Sequence, residues 1–131
     1  MHFLTLTLLI AASLFELSSQ HPLPDWSNAI QLCYKLLRIS AEARERFERS
    51  YADDDPNTHC IVRCGAILRG IYDDGAGVRL EQGTAQRGSD AFEALRSAYE
   101  QCAAAIRPED YGSDHCKKGF LHVKCYLLFS G

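Results

Sequence analysis

Cys60 and Cys64 stand three residues apart in Cys60-Ile61-Val62-Arg63-Cys64, an apolar run with no internal breaker. In a helix, positions i and i+4 overlie each other on one face, so the two sulfurs sit one turn apart and are poorly placed to bond each other. Each must reach a different partner. A helix tied covalently to two other segments becomes the hub of the fold.

The 131 residues are enough for one domain and no more. Residues 3–15 form an apolar run about as long as a signal-peptide core and too short to span a bilayer as a helix. The small and polar Glu16-Leu17-Ser18-Ser19-Gln20 follows, where cleavage falls most simply after Ser18 or Gln20. Residues 1–20 are therefore expected to be a signal peptide, and residues 21–131 a single exported domain. Nothing after residue 20 is apolar for long enough to cross a membrane, so no membrane insertion is expected. All six cysteines (33, 60, 64, 102, 116 and 125) fall in the exported part. An even set in a small exported chain reads as disulfides, because that compartment is oxidising. Removing Glu16 from the 17 acidic residues leaves 16 against 14 basic ones, a net charge of −2 with no basic stripe. That balance argues against nucleic acid as a partner. Asn28 and Asn57 both lack the downstream Ser or Thr of a glycosylation site.

Along the chain the periodicity is helical. His21-Pro22-Leu23-Pro24 must be extended. Asp25 is a good N-cap, and Trp26, Ile30, Cys33 and Leu37 recur on one face, turning Cys33 inward. Ser40 caps a more polar helix with a narrow stripe of Ala43, Phe47 and Tyr51, and with Glu42/Arg46 and Glu45/Arg49 as i,i+4 pairs on a solvated face. A loop over residues 52–57 ends at Pro56, and Asn57 or Thr58 caps the hub helix, on which Cys60, Cys64, Ile67, Leu68 and Ile71 keep helical spacing. Gly65 and Gly70 each cost this helix about 1 kcal/mol relative to Ala, so contacts compensate or something packs closely there. Residues 72–77 end it, and residues 78–88 form a connector too short and polar to be a sheet. No strand pair is expected anywhere. Asp90 and Glu93 open the next helix, with Phe92, Leu95, Tyr99, Cys102 and Ile106 on one face until Arg107-Pro108 stops it. In the last helix, residues 113–128, Cys116 and Cys125 are nine residues apart and point to opposite sides. A helix bonded on both flanks lies between two others.

Catalytic and metal chemistry find little support. Gly112-Ser113-Asp114-His115 contains triad residue types, but sequence neighbours cannot line up nucleophile, base and orienting group, and G-x-S-x-G is absent. A helix cap explains it. A disulfide-rich helical phospholipase needs a His-Asp pair on a cysteine-bearing helix, and here His59 precedes Cys60. The cysteine spacings lack the second close pair of a structural zinc site, and Asp73-Asp74-Gly75 is turn chemistry, without the alternate ligands of a calcium loop. Neither a metal nor another cofactor is expected, and the chain does not read as an enzyme. Of the other histidines, His59 and His115 read as helix-start surface residues, and His122 as a partly buried residue of the central helix.

The cysteine pattern Cys33-x26-Cys60-x3-Cys64-x37-Cys102-x13-Cys116-x8-Cys125 closely resembles that of the six-cysteine insect odorant-binding proteins, the pheromone and general odorant-binding family. The x3 and x8 gaps are the most diagnostic, and the leader, the helical periodicity and the Asp73-Asp74-Gly75 turn agree. Six cysteines by themselves allow fifteen pairings. The resemblance implies one of them, Cys33–Cys64, Cys60–Cys116 and Cys102–Cys125, in an all-α bundle of about six short helices around an apolar cavity.

The implied function is that of a secreted carrier of small hydrophobic molecules, odorants or pheromones, in aqueous extracellular fluid. It would reach a membrane olfactory receptor only indirectly, as a monomer or weak homodimer. Candidate cavity residues are Ile67 and Ile71 on the hub helix, Phe92, Leu95 and Tyr99 on the next, and Phe120, Val123 and Leu127 on the last. Tyr99, Tyr126 and the histidines are the candidate polar handles. Longer relatives have a tail after the last cysteine that acid can displace. Here only residues 126–131 follow it, so Tyr126 to Phe129 are expected to plug or line the pocket rather than to release ligand on acidification. The rival readings are the same carrier in saliva, seminal fluid or haemolymph, a secreted helical interaction protein with a filled core, and a small hydrolase.

Overall fold

The computed structural model describes residues 23–51, 53–81 and 88–130; the expected leader and His21 lie outside them. The first helix, α1 (Trp26–Leu36), begins where Asp25 accepts a hydrogen bond from the Asn28 amide at 2.8 Å. Its buried face is Ala29, Ile30, Cys33 and Tyr34. Leu37 is not part of that face. It caps the helix and is 39 % exposed, because Arg38 turns into the left-handed region (φ 52°) and the Ile39 amide closes back on the Tyr34 carbonyl at 2.9 Å.

Ser40 caps α2 (Ala41–Arg49), its hydroxyl accepting from the Ala43 amide. Phe47 meets Tyr34 edge-on with ring centroids 6.2 Å apart, joining α2 to α1. Tyr51 lies past the helix end, 59 % exposed, and Arg46 approaches Asp55 at 3.7 Å. The cap of α3 (Pro56–Leu68) is Asp55 rather than Asn57 or Thr58: its carboxylate accepts from both of their amides, and Pro56 fills the first helical position, which needs no donor.

The hub helix ends three residues before Ile71. Gly70 adopts φ 69°, and the Ile71 amide bonds back to the Ala66 carbonyl, so Gly70 is a helix stop and not a cost within the helix. Gly65 plays the other role. A Cβ there would sit 2.8 Å from Ile30 Cδ1 and 3.2 Å from the Trp26 ring, so the missing side chain lets α1 and α3 approach.

A strand pair does exist, contrary to the sequence expectation. Tyr72–Asp73 (β1) pairs antiparallel with Gly77–Val78 (β2), Tyr72 opposite Val78. Two residues per strand are too few for any alternation to register in sequence. The turn is held by the Asp73 carboxylate, which accepts from the Gly75 and Ala76 amides at 2.8 Å each.

The fourth helix, α4 (Ser89–Ala104), is capped by Gly88 without a side-chain bond, so the Asp90/Glu93 capping box is not formed. It stops at Ala104, leaving Ile106 outside, and a 3-10 turn at Pro108–Asp110 leads to α5 (His115–Ser130). Asp114 accepts from the Lys117 amide at 3.0 Å, the capping role expected of that segment. The helix α5 packs between α3 and α4 and also touches β2. The three disulfides are Cys33–Cys64, Cys60–Cys116 and Cys102–Cys125, with Cα separations of 5.9, 4.6 and 5.7 Å. They link α1 to α3, α3 to α5 and α5 to α4, so α3 and α5 are each bonded on two sides. The five α-helices among the described residues, where the resemblance implies about six, and the three bonds make this an all-α disulfide-stapled bundle.

Two substitutions test these local readings. Gly65→Ala is expected to destabilise by up to about 2 kcal/mol, overpacking of about 1–3 set against a helix gain of about 1, and Ile30→Val, which removes the clashing Cδ1, should recover part of the loss in a urea titration. Arg38→Gly should raise stability by about 0.5–1 kcal/mol, because only glycine holds that backbone conformation without a Cβ penalty.

Candidate ligand-binding core

Thr58, Ile61, Val62, Gly65 and Ala66 recur at i, i+3, i+4, i+7 and i+8 and form the buried core face of α3. At about 100° per residue, Cys60 and Cys64 lie roughly opposite that face, both half-buried by their bonds to α5 and α1. The stripe of Cys60, Cys64 and Ile67 is thus the disulfide flank of the helix, and the core face was hidden in the phase beside it. A signal for it existed in the Ile61-Val62 and Gly65-Ala66 doublets, four residues apart.

On this face one apolar cluster is built. It includes Ile71 and Tyr72 from the hairpin, Leu95 from α4, and Phe120, Val123 and Tyr126 from α5. Four of the eight candidate cavity residues, Ile71, Leu95, Phe120 and Val123, are at most 5 % exposed and lie together in it. Tyr99 and Leu127 pack against it from α4 and α5. Phe92 is half-buried outside the cluster, with the Arg96 guanidinium 5.8 Å over its ring, and Ile67 is 40 % exposed. At the far end of α4 and α5, a surface groove of about 250 Å³ lies over the Cys102–Cys125 bond, bordered by Ile106, Leu121, Lys124 and Leu128. None of the eight candidates lines it.

The polar groups around the cluster differ from expectation in one case. His59 is not a surface residue. It is 5 % exposed, its ring stacks on Phe120 at 4.6 Å between centroids, and its Nε2 meets Asp54 at 2.6 Å. Helix-start position suggested exposure, but residue 59 falls on the same side as Val62 and Ala66. His115 is exposed and His122 half-buried, where desolvation first and Lys118 second push its imidazole below the usual range. The continuing helix carries the tail to Ser130: Tyr126 is buried and Leu127 lies against the cluster, whereas Leu128 and Phe129 face solvent.

Beside the cluster, α3 is clamped to the hairpin turn. Arg63 donates from Nε to Asp74 Oδ1 at 3.0 Å and from Nη2 to Asp74 Oδ2, a two-pronged ion pair. Arg63 also fills the space a Cβ at Gly119 would occupy, its Cγ 2.9 Å from that point, so the same side chain spaces α3 from α5. The hydrogen bond from Arg63 is the main reason the Asp74 carboxyl lies below its ordinary range. Burial, followed by the charge of Asp74, pushes the Tyr72 hydroxyl up to about 12. Burial likewise raises Tyr99, whose hydroxyl is met by the Val78 backbone.

A carboxyl with a depressed folded-state pKa contributes stability above its unfolded pKa, near 4, and loses it as pH falls through the lowered value. Asp74→Asn should therefore cost about 0.5–1 kcal/mol at pH 7, a figure discounted for the 42 % exposure of the Asp74 side chain. The gap between variant and wild type should close on acidification below about pH 4, read from urea midpoints at both pH values.

Comparison with curated proteins and with solved structures returns no match in either case. The model of the PBP/GOBP family matches residues 20–128, a span holding all six cysteines. The chain belongs to the PBP/GOBP family, the pheromone-binding and general odorant-binding proteins, which are carriers and not enzymes.

Proposed function

We propose that the protein is a secreted carrier that takes up small hydrophobic molecules of the odorant or pheromone kind and moves them through an aqueous extracellular fluid. The observation that carries this reading is the family match over residues 20–128 on a helical bundle with three disulfides. The start of that match at residue 20 agrees with a signal peptide over residues 1–20. No helix among the described residues is long and apolar enough to cross a membrane.

The ligand would lie within the cluster on the inner face of α3, between α4 and α5. Ile71, Leu95, Phe120 and Val123 would form its wall, with Tyr99 and Leu127 beside them. Ile67 and Phe92, the more exposed of the candidates, would border its opening. The preference for this region over the groove at Cys102–Cys125 rests on burial: a site that removes most of a small ligand's surface from water binds it more strongly than an open groove can.

The refolded protein, with its three disulfides formed, should enhance the emission of an apolar fluorescent probe saturably, and long-chain alcohols, aldehydes or esters should displace it. Leu95→Trp, which fills the proposed site, should lower probe affinity at least tenfold. Unchanged probe emission across the whole panel would sink the carrier reading and favour an interaction protein with a filled core.

A further inference from the structure

The helices of this bundle are fastened unequally. Thr58, His59, Ile61, Val62, Gly65 and Ala66 are buried on α3, which two disulfides and the Arg63–Asp74 ion pair also hold. In α4, Leu95 is the one buried residue among the described side chains, 3 % exposed and part of the apolar cluster. Of the other elements, α4 packs extensively only on α5. Its N-terminus has no side-chain cap, and its ion pairs, Arg96 with Glu93 and with Glu100, stay within the helix.

Two further contacts hold α4, both toward its C-terminal end. Cys102, in the last turn, is bonded to the buried Cys125 of α5. Tyr99 packs against the cluster, and its hydroxyl meets the backbone of Val78 in β2. The helix is thus covalently fixed at one end and held along the rest by reversible contacts, Tyr99 and Leu95. The half-buried Phe92, at the border of the proposed ligand site, lies toward the free end. One buried leucine and one hydrogen bond are little to break, so α4 belongs to the low-stability end of the molecule.

We propose that α4 is the gate of the ligand site: it swings on the Cys102–Cys125 bond, with the Tyr99–Val78 hydrogen bond as its latch. This rests on the carrier reading and adds to it the route by which a ligand enters and leaves. Swinging α4 outward takes Leu95 from the cluster and opens one wall of the site. The helices α1, α3 and α5 stay stapled meanwhile by their own two bonds, so the rest of the core need not unfold.

The test measures association and dissociation of an apolar fluorescent probe by stopped flow, with the mature chain and with its Tyr99→Phe variant. Breaking the latch raises the open population, so both rates should rise about three- to tenfold, the worth of one neutral hydrogen bond, while Kd changes by less than about twofold. Unchanged rates overturn the proposal. A weaker Kd with unchanged association also overturns it, since Tyr99 is then a wall contact. Hydrogen exchange without ligand gives a second readout. A 16-residue helix off its support is only marginally stable, so the α4 amides beyond the first turn should exchange about tenfold or more faster than those of Ile61 to Ala66. In Tyr99→Phe they should exchange faster still, with α3 unchanged. Exchange of both helices at one rate overturns the gate and leaves the carrier reading intact, whereas a wild-type protein that binds no probe removes both.

Discussion

Everything in this molecule depends on α3 being bonded on two sides. Cys64 ties it to α1 and Cys60 ties it to α5, which Cys125 in turn ties to α4. The bonds close loops of 31, 56 and 23 residues, and by the chain-entropy estimate each is worth about 3–4 kcal/mol, a sum that is not additive. Because both cysteines of α3 lie on its outer flank, the covalent load is carried away from the core face. That face is left to be shaped by Thr58, His59, Ile61, Val62, Gly65 and Ala66.

The bundle's close approaches follow from the same arrangement. Gly65 lets Trp26 and Ile30 come down onto α3, and Gly119 lets Arg63 lie across α5. Arg63 then reaches the hairpin turn and holds Asp74. A helix tied at two sulfurs has little freedom to slide, so one two-pronged ion pair, weak in isolation, suffices to fix a two-residue hairpin that would have no stability alone.

Much of this was legible in the sequence. Cysteine spacing carried the two separate partners of the hub helix, the doubly braced last helix and the family resemblance, and it was the resemblance that implied the pairing and the bundle. Helix starts governed by short side chains, Asp25, Ser40 and the Asp114 segment, were legible because a cap is a local event. What stayed hidden depends on tertiary competition. Cys60 and Cys64 drew the eye to the wrong face of α3, because a disulfide can bury a cysteine on a flank as readily as in a core. His59 looked like a surface residue until Phe120 and Asp54 were brought to it. The hairpin was invisible because two residues give no alternation, and Tyr72 with it.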